Sequence, residues 1–251
     1  MQTIPPVRTR ISRADQREGE LAQIGSAFVS EIPDVVIRRL PIYVRTLQSL
    51  LETAQSESVS SDQLAEAIGV SGAQIRRDLS YFGRFGKQGK GYDAQRLVEE
   101  INRILRLDQN WDVALVGFGN LGRAIAQYGG FVPSTFRIAC IFDRNEERIG
   151  QVVNDIAIQS DKQIAESVRK LGIKIGIIAV PQASAQVVAD ALIEGGIEAL
   201  LNYAPCHLRT PESVTVRDVD PVGAMQSMTY YLSGDAGSGI TPTRSSRAAS
   251  R

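Results

Sequence analysis

Four apolar residues, Val113-Ala114-Leu115-Val116, run without a break into Gly117-Phe118-Gly119-Asn120-Leu121-Gly122. Few folds accept that order. A strand ending in Gly-x-Gly-x-x-Gly must turn sharply and start a helix at once. The first glycine permits the tight turn, the second lets a ligand approach the backbone, and the third packs helix against strand. Residues 121–128 can continue as that helix, and Arg137-Ile138-Ala139-Cys140-Ile141-Phe142 reads as a second, buried parallel strand. Asp143 closes it, 21 positions after Gly122. A dinucleotide site needs this spacing: the helix start holds the pyrophosphate, and an acid about 20 residues on holds the ribose hydroxyls. The charge of Asp143 repels a 2′-phosphate and so favours NAD over NADP, while Arg144 works the other way because a guanidinium can serve a phosphate.

Further apolar runs extend the pattern. Ile156–Ile158, Ile175–Val180, Ile197–Asn202 and Val214–Val219 are strand candidates, and helical segments near 161–171 and 182–195 separate most of them. Strand and helix in alternation predict an α/β fold with a doubly wound parallel sheet. The last element differs. Asp220 can cap a helix with Pro221 at its first position, and Val222, Met225, Met228 and Leu232 form an apolar stripe. That stripe could pack on its own sheet or on another molecule.

Residues 33–93 read differently. Asp34–Glu57 has helical periodicity, with a short turn expected before Pro41 and the main helix from there. Ser60 or Ser61 caps a helix over Asp62–Ile68, Gly69 closes it, and Ser71 starts a third that reaches about Tyr81. This is the layout of a helix-turn-helix. The interleaved glycines, cations and aromatics from Phe82 to Tyr92 then read as a β-hairpin wing.

Charge is concentrated here. The 251-residue chain has 28 Lys and Arg against 28 Asp and Glu, so no global field draws it to nucleic acid. Residues 71–91 nevertheless hold Arg76, Arg77, Arg84, Lys87 and Lys90 against Asp78 alone, a local net of +4. That is a phosphate footprint. Gln74, Arg76 and Arg77 lie where a recognition helix reads base edges, and Arg84, Lys87 and Lys90 where a wing grips phosphates. Ser71, Ser80 and Tyr81 complete the expected DNA-binding set.

Other chemistry is thin. The one histidine, His207, follows the run Ile197–Leu201, and nothing in sequence partners it. Two cysteines, Cys140 and Cys206, at no repeated spacing, argue against a structural zinc or a disulfide framework. No catalytic residue and no metal ligand is expected. The absence of an 18-residue apolar run and of a secretory signal predicts a cytoplasmic protein. Residues 1–30 are expected as a flexible arm and residues 234–251 as a disordered tail.

Together these stretches resemble one family, the Rex redox-sensing transcriptional repressors of bacteria. The resemblance spans Ile32 to Leu232, and Gln74-Ile75-Arg76-Arg77-Asp78-Leu79-Ser80-Tyr81-Phe82-Gly83 is its most specific part. The glycine turn, Asn202-Tyr203-Ala204-Pro205 and the Val219-Asp220 helix add to it. It implies a winged-helix domain over 31–93, a linker helix over 94–110 and a Rossmann NAD(H)-binding domain over 111–218. A dimerisation helix over 219–233, swapped between subunits, would follow. Cofactor contacts are expected from Gly117, Phe118, Gly119, Asn120, Leu121, Gly122, Asp143, Arg144, Val180, Pro181, Asn202, Tyr203 and Ala204. The resemblance further implies a homodimer on palindromic operator DNA, released by NADH in competition with NAD⁺. Asp220 would move between the partner subunit's Arg45 and Tyr128. Two other classes stay open on the residues alone: an NAD-dependent oxidoreductase with an accessory helical domain, and a coenzyme A or other nucleotide-binding module.

Overall fold

The computed structural model describes residues 32–53, 58–87, 91–128 and 135–232. They form two units, one ending at Arg106 and the other starting at Leu107. The expected arm (1–30), the tail (234–251) and Lys90 lie outside the described residues.

The first unit opens with α1, Asp34–Thr53, which buries Val36, Leu40, Tyr43, Val44 and Leu47 along one face. The turn expected before Pro41 does not form, and α1 runs unbroken through it. A mid-helix proline loses one hydrogen bond and crowds a carbonyl, at roughly 3 kcal/mol. Leu40, Tyr43 and Leu47 are 0% exposed, and burying each side chain contributes about 1.5–3 kcal/mol, so packing outweighs the local penalty. Strand β1 (Ser58–Val59) leads to α2, Ser61–Ile68, which Ser60 and Gln63 close with a reciprocal capping box. Gly69, at φ 79°, ends α2 in the left-handed region that only glycine adopts cheaply. Ser71 then caps α3, Gly72–Ser80, by accepting from the Gln74 N–H at 3.1 Å. Strands β2 (Gly86–Lys87) and β3 (Gly91–Asp93) pair antiparallel as the wing, with β1 on the far side of β3.

The helix expected as a linker is part of this core. In α4, Ala94–Ile104, the residues Ala94, Leu97, Val98 and Ile101 are buried among Leu40, Leu47, Leu64 and Ile75. Their spacing puts them on one stripe, and a stripe of that width must be covered.

The second unit is a seven-stranded sheet in the order β10-β9-β8-β4-β5-β7-β6. Its strands are β4 Trp111–Val116, β5 Phe136–Asp143, β6 Val152–Val153, β7 Ile156–Ser160, β8 Ile175–Ile178, β9 Ala199–Asn202 and β10 Thr215–Asp218. All neighbours pair parallel except β6, which pairs antiparallel with β7. Without β6 this is the doubly wound order, which reverses between β4 and β8. Alternate residues enter opposite cores: Ala114 and Val116 lie on one face, Val113 and Leu115 on the other. The crossover helices are α5 Asn120–Ala126, α6 Ile164–Leu171 (after a 3-10 turn, Asp161–Gln163) and α7 Gln182–Glu194.

β8 stops at Ile178 rather than Val180, because the chain must clear the sheet before Pro181, which has no N–H to donate. The hairpin β6–β7 was not foreseen. Its loop is Asn154-Asp155, both at positive φ, the residue types that tolerate a mirror-image two-residue turn. Finally α8, Pro221–Thr229, buries none of its residues. Val222, Met225 and Met228 are 56%, 58% and 61% exposed, so the stripe is not packed on its own sheet.

Candidate functional site

The glycine turn sits where the sheet order reverses. Gly117, at φ 95°, follows β4 so closely against the loop after β8 that a Cβ there would stand 2.5 Å from the Ala179 carbonyl oxygen. Gly122 is tighter still, since its Cβ would fall 1.8 Å from the Gly117 oxygen. Gly119 is the opposite: nothing lies within 4 Å of the position its Cβ would take. Two glycines therefore serve the turn and the helix packing, and the middle one faces open space. No side chain caps α5, which starts directly after Gly119.

A cleft of about 370 Å³ opens beside this turn, lined by Gly117, Gly119, Asp143, Arg144, Val180 and Pro181 together with Arg148, Asp161 and Ser184. That volume suits a small-molecule site. Six expected residues thus meet in one place. Arg148 and Asp161 were not anticipated; the clue for Arg148 was a second cation five positions past Asp143.

Asp143 has more work than expected. It is 5% exposed. Its Oδ2 accepts the Phe118 N–H at 2.6 Å and Arg148 Nη1 at 3.1 Å, and its Oδ1 accepts the Asn145 N–H at 2.7 Å. Burial pushes its carboxyl up, but these bonds outweigh it and hold the group below the usual carboxylate range. Oδ1 keeps one acceptor position for a ribose hydroxyl. Arg144 is exposed and donates to Ser184 Oγ at 3.1 Å.

The remaining cofactor candidates separate. Phe118 is buried beneath Arg123, whose guanidinium lies 5.6 Å from the ring centroid. Asn120 begins α5, and Leu121 is 44% exposed. Asn202 ends β9, Tyr203 and Ala204 follow it, and none of the three lines the cleft. Asn202 is fully buried and spends its amide on the protein, donating to the Ala204 and Cys206 carbonyls and to Asp218 Oδ1 while accepting from the Ala204 N–H. In this structure Asn202 is a loop fastener. His207 lies 3.9 Å from Asp218 with its side chain 88% exposed. Burial pushes the Cys140 thiol up to about 12. No group of three or more potential metal ligands occurs among the described residues.

On the first unit, Arg76 turns back toward α2, donating to Ser61 Oγ and lying 3.8 Å from Asp62. Arg77 and Arg84 are exposed. Ser80 donates to the Arg77 carbonyl at 2.6 Å, and Tyr81 terminates α3. A cavity of about 660 Å³ lies between α3 and the wing, lined by Arg76, Ser80 and Arg84 among others. Gln74 donates to Asp78, which also binds Arg39 and Tyr43. Nothing local in the sequence reveals this cluster beyond one acid in a cationic stretch. Of the expected switch residues, Arg45 is an exposed side chain of α1 and Tyr128 is 65% exposed. Asp220 caps α8 by accepting the Gly223 N–H at 2.9 Å.

Comparison with known proteins assigns both units. Residues 31–80 match the family model "Putative DNA-binding protein N-terminus", and residues 108–206 match the model for a CoA binding domain. The chain is 54% identical over 200 residues to the redox-sensing transcriptional repressor Rex of Chloroflexus aggregans, covering 80% of this chain and 94% of that one. It is 41% identical over 206 residues to that of Streptomyces coelicolor, covering 82% and 80%. Among solved structures, RSP in complex with beta-NAD+ and operator DNA aligns at TM-score 0.76 and 37% identity, over 80% of this chain and 92% of that one. RSP in complex with beta-NADH aligns at TM-score 0.73 and 35% identity, covering 80% and 94%.

Proposed function

The chain belongs to the Rex family of redox-sensing transcriptional repressors, and we propose that it holds a palindromic operator as a homodimer and lets go when NADH enters the cleft beside Gly119. The reading is carried by one juxtaposition. A winged helix with its cations on α3 and the wing shares a chain with a glycine turn whose middle residue leaves room for a ligand. The relative RSP has been seen with beta-NAD+ and operator DNA, and with beta-NADH.

The residues fit the cofactor. Gly117 and Gly122 fix the turn, open Gly119 admits a pyrophosphate, and Asp143 offers Oδ1 to a ribose. The nicotinamide ring supplies the signal, being cationic when oxidised and uncharged when reduced. A protein that binds the two forms unequally in its two shapes converts that difference into a population shift. We read the chain as a cytoplasmic sensor rather than an enzyme, because its relatives are named repressors. The apolar stripe of α8 supports the homodimer, since a single copy leaves it uncovered. Asp220, Arg45 and Tyr128 are read as the exchange that couples cofactor to domain angle.

The test is a titration of operator binding, followed by fluorescence anisotropy, against the NADH/NAD⁺ ratio. Affinity should collapse as NADH rises and recover with NAD⁺, and it should fall steeply with salt as phosphate contacts release counterions. Equal affinity with saturating NADH and with no nucleotide would overturn the reading.

A further inference from the structure

Asp78 is the one acid in residues 71–91, and it is fully buried on a helix whose arginines, Arg76 and Arg77, are exposed. An ionised carboxylate accepts about four hydrogen bonds and donates none. All four places are filled. Arg39 spans both oxygens, Nε to Oδ2 at 2.5 Å and Nη2 to Oδ1 at 2.8 Å. Tyr43 donates to Oδ2 at 2.6 Å, and Gln74 Nε2 donates to Oδ1 at 2.7 Å. Burial pushes the Asp78 carboxyl up, but Arg39, Tyr43 and Gln74 together outweigh it and keep the group charged.

This arrangement has a consequence for Gln74. A free glutamine amide can turn either end toward a partner, and so tells a donor from an acceptor poorly. Here the charged carboxylate takes only the nitrogen, because the amide oxygen would meet it lone pair to lone pair. Oε1 is turned to the other side, and no donor reaches it among the described residues. Gln74 is half-buried in the first turn of α3, the part of a recognition helix that meets base edges.

We propose that Asp78 locks the Gln74 amide so that α3 presents an acceptor oxygen to the major groove and selects a base carrying an exocyclic amine, adenine N6 or cytosine N4. Thymine O4 and guanine O6 are acceptors and are refused. Asp78 is a positioning residue, Gln74 the reader, and the inference rests on the DNA-binding reading above.

The probe is a duplex enriched from random sequence by the parent chain. In a panel of that duplex each adenine is replaced in turn by purine, and each cytosine by 2-pyrimidinone, which removes one amine at a time. The parent should lose about tenfold at one position per half-site. Asp78→Asn and Gln74→Met should lose less than about twofold there while still binding the duplex. Should Asp78→Asn alone fail to fold, Asp78→Asn with Arg39→Gln, which leaves no buried cation unpaired, takes its place. A merely structural Asp78 would lower affinity evenly and leave the base profile unchanged, and that outcome overturns the proposal. So does a Gln74→Met profile that matches the parent. A parent that enriches no duplex sinks the DNA-binding reading itself, and the proposal with it.

Discussion

Asp143 accepts the main-chain N–H of Phe118 at 2.6 Å across 25 positions of sequence. The acid expected to meet a ribose therefore also braces the turn expected to meet the pyrophosphate. Asp143→Asn keeps the size but loses the charge, and leaves Arg148 without its partner in the cleft. NADH affinity should fall about tenfold or more, since a buried charged hydrogen bond contributes roughly 1.5–3 kcal/mol. Preference for NADH over NADPH should narrow, because a freed Arg148 can pair a 2′-phosphate. Cofactor fluorescence titrations measure both, and a variant with the parent's affinity and selectivity would remove Asp143 from either role.

The glycines of the turn should fail in different ways. Gly119→Val adds atoms where none lie within 4 Å, so the thermal midpoint should stay within a few degrees of the parent's while NADH binding is lost. The result is a repressor that NADH cannot release. Gly122→Ala places its methyl 1.8 Å from a carbonyl oxygen and should lower the midpoint by several degrees or prevent folding. Equal thermal effects from the two substitutions would contradict these assignments.

Acid should loosen both units below about pH 4. Asp78 and Asp143 are both held below the ordinary value of 3.8. A carboxyl depressed in the folded state adds stability above its unfolded value, near 3.9, and that share is lost as pH falls toward the folded value. Urea unfolding should thus be nearly flat from pH 7 to about 5 and fall steeply under about 4. Asp78→Asn should flatten the fall for the first unit, and an unchanged pH profile would count against its charge.

Met225→Ser with Val222→Ser should weaken self-association. These side chains are 58% and 56% exposed in one copy, so folding of the single chain should be little affected. Sedimentation should show the dimer dissociation constant raised at least tenfold. An assembly as tight as the parent's would place the interface elsewhere.

What could be read beforehand was local. The three glycines act within six residues, and the strand–helix alternation lies in the periodicity of the chain, so the sheet and its turn were legible. The helix caps at Ser60, Gly69 and Ser71 were legible for the same reason. Asn202 was not: an asparagine at a strand end looks like a ligand until the loop to Asp218 brings three acceptors around it. Nor was the Asp78 cluster, whose partners Arg39 and Tyr43 lie 39 and 35 positions away. The turn expected before Pro41 failed as an expectation because burial of its neighbours, invisible in one dimension, outweighs the local rule and α1 runs on unbroken.

Among the described residues, one buried cluster belongs wholly to residues before Arg106, and two others to residues after Leu107. A substitution within one of these clusters is met first by the packing of its own unit. Selection can thus adjust the stability of each unit's interior through its own residues.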